Sequence, residues 1–143
     1  MSFNVLIVDD SGAMRAVIKK IITISGFKMN RCFEADNGCE ALKQLKQNWV
    51  DVIISDINMP EMNGLQLLQS LSQYPLYQSI PVIIVSTEGS RDRIKEALQR
   101  GAKGFIKKPF LPEDIRRVLH DVIGVGADGE YQEDQRDADN GDF

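Results

Sequence analysis

Short apolar runs alternate with amphipathic stretches from the N-terminus to about residue 123. Val5-Leu6-Ile7-Val8 and Val82-Ile83-Ile84-Val85 are continuous runs, the pattern of strands covered on both faces rather than of strands with one wet side. Five strands are predicted, at Asn4 to Val8, Met29 to Glu34, Val52 to Ser55, Val82 to Val85 and Gly104 to Lys107. Each is followed by a predicted helix: Gly12 to Ser25, Gly38 to Lys46, Gly64 to Gln73, Arg91 to Arg100 and Glu113 to Ile123. In the first of these, Met14, Val17, Ile18, Ile21 and Ile22 form one stripe, with Arg15, Lys19 and Lys20 on the other side. Gly26 and Gly101 read as helix stops, Asn63 and Ser90 as N-caps, and Pro112 sits where a first helical turn tolerates proline.

Strict strand–helix alternation implies a parallel sheet with helices on both faces. A (βα)5 unit of this size closes most simply as a doubly wound α/β sheet of order 2-1-3-4-5, the flavodoxin-like order. Chemistry is then expected at the carboxyl ends of strands 1, 3, 4 and 5, beside the point where the strand order reverses.

Composition narrows the class. The 143 residues are 43% hydrophobic and 27% charged, an ordinary globular balance that excludes a wholly disordered, collagenous or coiled-coil chain. Two cysteines make no disulfide framework. No apolar run approaches the ~18 residues of a membrane span, and Asp9-Asp10 follow the first run without a basic leader. A cytoplasmic protein without membrane insertion is expected. The net charge of −4 is unevenly placed, because residues 125–143 hold seven acids and only one base, Arg136. The expected organisation is a slightly basic domain over 1–124 and an acidic, flexible extension over 125–143. Such a balance disfavours nucleic-acid binding. A sharper reading docks the extension on the basic surface of Arg91, Arg93, Lys95, Arg100, Lys103 and Lys107.

The four strand ends carry Asp9-Asp10, Asp56, Ser86-Thr87 and Lys108-Pro109. Alone, each would be an ordinary turn or cap. Brought together by the 2-1-3-4-5 order, three carboxylates crowd one small volume, which is costly unless a cation or proton neutralises them. Hard oxygens of this kind suit Mg²⁺, and at least one carboxyl pKa should be raised without the ion. Asp56 is the best nucleophile, standing after the central strand in a loop that ends at Gly64. A carboxylate can accept a phosphoryl group as an acyl phosphate. Lys108 and Mg²⁺ would neutralise the equatorial oxygens in transit, and the Ser86 hydroxyl would hydrogen-bond one of them.

These residues carry a resemblance. Val8-Asp9-Asp10-Ser11, Asp36 to Ala41, Asp51 to Gly64, Val85-Ser86-Thr87 and Gly101 to Phe110 resemble bacterial response-regulator receiver domains, above all the single-domain chemotaxis type, over positions 3 to 123. The resemblance implies that Asp56 accepts a phosphoryl group from a phosphohistidine on a sensor histidine kinase. It makes Asp10 a direct Mg²⁺ ligand, has Asp9 act through water, and adds the backbone carbonyl of Asn58. It implies contact of Lys108 with the phosphoryl group, across a cis Lys108-Pro109 bond. Ser86 and Phe105 match the family's switch pair, whose movement remodels the face of helix 4, strand 5 and helix 5 for a downstream protein. Phe105 stands where the chemotaxis type has tyrosine, which puts a flagellar-motor contact in doubt. Thr87 stands where alanine is frequent, and its bulk would restrict access to the phosphoryl group. Asn58 and Glu88 occupy the positions that set acyl-phosphate lifetime; this pair implies fairly rapid autodephosphorylation.

Other conspicuous residues are expected to be structural. Cys32 and Cys39 read as buried small hydrophobes, and Trp49 as a packing residue. Met14, Met59 and Met62 are expected to pack, since thioethers are poor Mg²⁺ ligands. His120, the single histidine, lies away from every strand end. The functional expectation is a phosphoacceptor switch in chemotaxis or related two-component signalling, a monomer or weak dimer with protein binding as its output. The alternatives are a phosphorelay intermediate and an Asp-nucleophile phosphohydrolase. Against the last stands Asn58, two residues after Asp56, where phosphatases of the haloacid-dehalogenase type need an acid.

Overall fold

The computed structural model describes residues 2–87 and 91–123. Five strands and five helices alternate: β1 (Phe3–Val8), α1 (Gly12–Ser25), β2 (Met29–Ala35), α2 (Gly38–Gln47), β3 (Val52–Ser55), α3 (Gly64–Leu71), β4 (Val82–Ser86), α4 (Arg91–Gln99), β5 (Gly104–Lys107) and α5 (Pro112–Ile123). All strand pairs are parallel and the order is β2-β1-β3-β4-β5, the flavodoxin-like arrangement that the alternation predicts.

Side chains on successive strand residues point to opposite faces, and the core divides accordingly. Val5 and Ile7 of β1, Val52 and Ile54 of β3 and Ile83 and Val85 of β4 join Ile18 and Ile22 of α1 and Ile115 and Leu119 of α5 on one face. On the other, Leu6, Val8, Ile53, Val82 and Ile84 meet Ala41 and Leu45 of α2, Leu65 and Leu68 of α3 and Ala97 of α4. The continuous apolar runs are thus two half-cores read alternately.

Local signals place the helix ends. Ser11 caps α1 by accepting from the Met14 N–H, and Asn37 caps α2 through Glu40. Asn63 forms a reciprocal capping box with Gln66. Gly26 closes α1 at φ 90°, a left-handed conformation that favours glycine. Pro112 is the first residue of α5. The expected cap Ser90, the expected lifetime-setting Glu88 and the acidic extension at 125–143 lie outside the described residues.

Three packing expectations are corrected. Trp49 is 78% exposed: Val50 takes the inward position before β3, so the neighbouring ring points out and its indole N–H donates to Asp51 at 3.1 Å. Cys39 is exposed because the buried stripe of α2 runs through Gly38, Ala41 and Leu45, and Cys32 is only half-buried on edge strand β2. Val17 leaves the buried stripe of α1 and is 48% exposed.

Candidate functional site

Extension of β1, β3, β4 and β5 to a common pole brings the four strand ends together. Asp9 leaves β1 with its N–H donating to Ala35 O at 3.0 Å, and Asp56 leaves β3 with its N–H donating to Val8 O at 2.9 Å. The sheet ladder therefore continues one residue beyond the strands and fixes both aspartate backbones. Across the pocket, the Lys108 N–H donates to Ser86 O at 2.9 Å, and the Lys108–Pro109 peptide is cis.

Oxygens of Asp9, Asp10 and Asp56 lie within 4.8 Å of one another. Asp9 is buried and Asp10 is exposed, with Asp56 between them. One Asp9 oxygen, Oδ1, accepts from the Ser11 N–H at 2.9 Å; the other, Oδ2, faces Lys108 Nζ at 3.2 Å. Asp56 Oδ1 accepts from the Ile57 N–H at 2.8 Å, and its Oδ2 stands 4.0 Å from the same ammonium. Burial, foremost, pushes the Asp56 carboxyl above the usual carboxylate range. Lys108 pulls it back, Asp9 adds to the rise, and the N–H groups of Ile57 and Asn58 lower it. The raised carboxyl expected from crowding is present, but loss of solvent outweighs the neighbouring charge as its cause.

Hard, partly desolvated carboxylate oxygens gathered in this way, with one carboxyl reluctant to ionise, are a donor set suited to Mg²⁺. The predicted Ser86 side chain is completely buried at the end of β4, and Thr87 is exposed. Phe105 pairs in register with Ile84 and is half-buried against the α2/α3/α4 face. Asn58 is exposed on the loop after Asp56. Met59 and Met62 pack on the core beneath that loop, and Met14, in the first turn of α1, packs on the other face. His120 sits on α5, its ring 3.9 Å from Asp121.

One participant was hidden in the sequence. Arg15, on the polar side of α1, reaches back so that Nη1 donates to Asp9 O at 2.6 Å while Nε pairs with Glu34 at 2.8 Å. It ties the end of β1 to β2. The available signal is its place in the first turn after Asp9-Asp10, but periodicity assigns such a residue to solvent.

The fold and this pole define a doubly wound (βα)5 domain with an acidic, cation-ready pocket bordered by one lysine. The chain belongs to the response regulator receiver domain family, whose model matches residues 5–120. It is 41% identical over 125 residues to a chemotaxis protein CheY homologue of Campylobacter jejuni, covering 87% of this chain and 95% of that one. Identity to chemotaxis protein CheY1 of Helicobacter pylori is 38% over 123 residues, covering 85% and 98%. Among solved structures it is similar to Vibrio cholerae chemotaxis protein CheY4, with TM-score 0.76, 33% identity and coverage of 85% and 99%. It also resembles a chain of the CheX-CheY-BeF3-Mg complex of Borrelia burgdorferi, with TM-score 0.74, 33% identity and coverage of 82% and 87%. The chain is accordingly of the CheY type. Among the described residues no helix is long and apolar enough to cross a membrane.

Proposed function

We propose that this protein is a phosphorylation-controlled switch of chemotaxis or related two-component signalling in the cytoplasm, with Asp56 as its phosphoacceptor. The observation that carries the reading is the convergence of three carboxylates within 4.8 Å, with the Lys108 ammonium beside them. Asp56 Oδ1 is held by a backbone N–H, which leaves Oδ2 as the attacking oxygen. That oxygen forms a bond to phosphorus as the P–N bond of a kinase phosphohistidine breaks; the imidazole leaves with the bonding pair and takes up a proton. Asp9, Asp10, Asp56 and the Asn58 carbonyl would hold Mg²⁺, which when bound supplies neutralisation of charge on the phosphoryl oxygens. Lys108 contributes a second positive charge from a site mostly removed from water, where it acts more strongly than at the surface.

The output depends on the residues around the pocket. Ser86 and Phe105 lie on the adjacent strands β4 and β5. A shift of the Ser86 hydroxyl toward a phosphoryl oxygen opens the way for the Phe105 ring to turn inward, altering the α4/β5/α5 face for a partner protein. Asn58 and Glu88 set the lifetime of the acyl phosphate through their influence on an attacking water. The Borrelia burgdorferi complex, holding CheX, BeF3 and Mg, supports a reading in which the activated state is the one that binds.

The decisive experiment is incubation with radiolabelled acetyl phosphate and Mg²⁺. Asp56→Asn is expected to abolish a label that is otherwise single-round and alkali-labile; label retained at another residue, or steady turnover of a generic phosphoester, would sink the reading.

A further inference from the structure

The pole opposite the acidic pocket has a different character. Leu76 and Trp49, 82% and 78% exposed, are the most exposed large apolar side chains among the described residues. They flank a groove of about 390 Å³ whose wall includes Leu45, Val50, Tyr77 and Ile80. A second hollow, of about 340 Å³, adjoins it: Asp51, Ser79 and Pro81 line both. Val122 and Ile123, the last residues of α5, form part of that hollow. The chain therefore enters residues 124–143 from the wall of an apolar surface that continues into the groove.

Charge at this pole complements the segment beyond Ile123. Lys46 lines the groove and Lys103 the hollow. Asp51, the acid between them, already accepts from the Asn4 N–H at 2.8 Å and the Trp49 indole at 3.1 Å. Residues 125–143 hold seven acids and one base, with aromatic rings at Tyr131 and Phe143. The basic surface of α4 is a poorer match, since Arg93 and Arg100 both pair with Glu96. Reach is sufficient: Tyr131 is eight residues beyond Ile123, a span of up to about 28 Å.

We propose that the acidic segment 125–143 docks in cis across this pole, its acids against Lys46 and Lys103 and the Tyr131 ring in the groove between Trp49 and Leu76. Exposed ion pairs contribute little individually, so the aromatic anchor carries the contact and the charges orient it. The docked segment covers an apolar patch that would otherwise remain open to other chains. This inference is independent of the role of Asp56.

Trp49 is the one tryptophan, so acrylamide quenching of its fluorescence in the intact chain reads occupancy of the groove directly. Protection is expected in the wild-type chain, with quenching rising several-fold in Tyr131→Ala and in the double variant Lys46→Glu/Lys103→Glu. Salt at about 1 M, which shortens the Debye length to ~3 Å, should loosen the contact in part. Lys46 and Lys103 are exposed, so far-ultraviolet circular dichroism should not change. Free quenching of Trp49 in the wild-type chain would overturn the proposal. So would protection that survives Tyr131→Ala and weakens on dilution, which would assign the groove to a second copy.

Discussion

Lys108 stands closer to Asp9 than to Asp56: its Nζ is 3.2 Å from Asp9 Oδ2 and 4.0 Å from Asp56 Oδ2. The ammonium is therefore first the counter-charge of the buried Asp9 carboxylate. Its contact with Asp56, the proposed phosphoacceptor, is the looser of the two. Asp9 and Lys108 side chains are only 3% and 11% exposed, so their attraction is little screened; loss of Lys108 removes the cation paired with Asp9, whereas loss of Asp9 leaves Lys108 the looser Asp56 contact.

Lys108→Met should therefore destabilise the metal-free protein by about 3–5 kcal/mol, measured by urea unfolding in the presence of a chelator. Most of that cost should vanish when Asp9→Asn is already present, because the two groups are coupled. Equal costs in both backgrounds would show that Lys108 matters through packing rather than charge. The same substitution should slow labelling by acetyl phosphate, since one positive charge is removed from the proposed phosphoryl site.

The raised Asp56 carboxyl has the opposite consequence for stability. Its ionised form is disfavoured in the fold, chiefly by burial and further by Asp9. Its stabilising contribution is present in full below the unfolded carboxyl value, about 3.9, and is lost as pH rises through the folded value. Asp56→Asn should accordingly raise the chelated protein's unfolding midpoint at neutral pH, and the advantage should shrink as pH falls toward about 4. A midpoint difference that does not change with pH would contradict this cause.

Much of the architecture was legible in the sequence because β1, β3 and β4 are short apolar runs, each closed by a polar residue at the pocket end of the sheet. Val8 to Asp9 and Ser55 to Asp56 are such junctions, and the strand order then follows from few allowed topologies. Less legible was what depends on contacts between distant segments. The predicted end of α3 at Gln73 runs past the true end at Leu71: the N–H groups of Gln73 and Tyr74 bond three residues back instead of four, a tightening that no glycine announces. Arg15 reads as surface because its acceptor, Asp9 O, belongs to another element. The outward turn of Trp49 hangs on a single-residue parity beside buried Val50, and the groove next to it is assembled from α2, the approach to β3 and the approach to β4.

Thiol chemistry should distinguish the two cysteines. Cys39 is exposed and Cys32 half-buried. Burial, foremost, also pushes the Cys32 thiol up, with Glu34 adding to the rise and Lys19 opposing it. Because the thiolate is the reactive form, an aromatic disulfide reagent at neutral pH should modify Cys39 in a fast phase and Cys32 in a slow one. Cys39→Ser should remove the fast phase alone; its survival in that variant would reverse the assignment.

Two glycines tie the loop after Asp56 to the scaffold, and they should differ in tolerance. Gly64 N–H donates to Ile57 O at 2.8 Å where the loop closes on itself. A methyl group there would stand 3.0 Å from Ile57 Cα and press on the Asp56 carbonyl, both backbone atoms that cannot step aside without moving Asp56. Gly38 instead faces the Met62 side chain, with Cγ, Sδ and Cβ at 2.6, 2.7 and 2.8 Å from the would-be methyl; the thioether end can swing away, while Cβ moves only with its own backbone. Gly64→Ala should cost about 2–3 kcal/mol by overpacking and sharply reduce acetyl-phosphate labelling. Gly38→Ala should cost less and retain labelling, and Met62→Ala in the same chain should recover part of its loss. Equal loss of labelling in the two single variants would mean that the loop moves as one unit with α2, and that Met62 transmits strain to Asp56 instead of absorbing it.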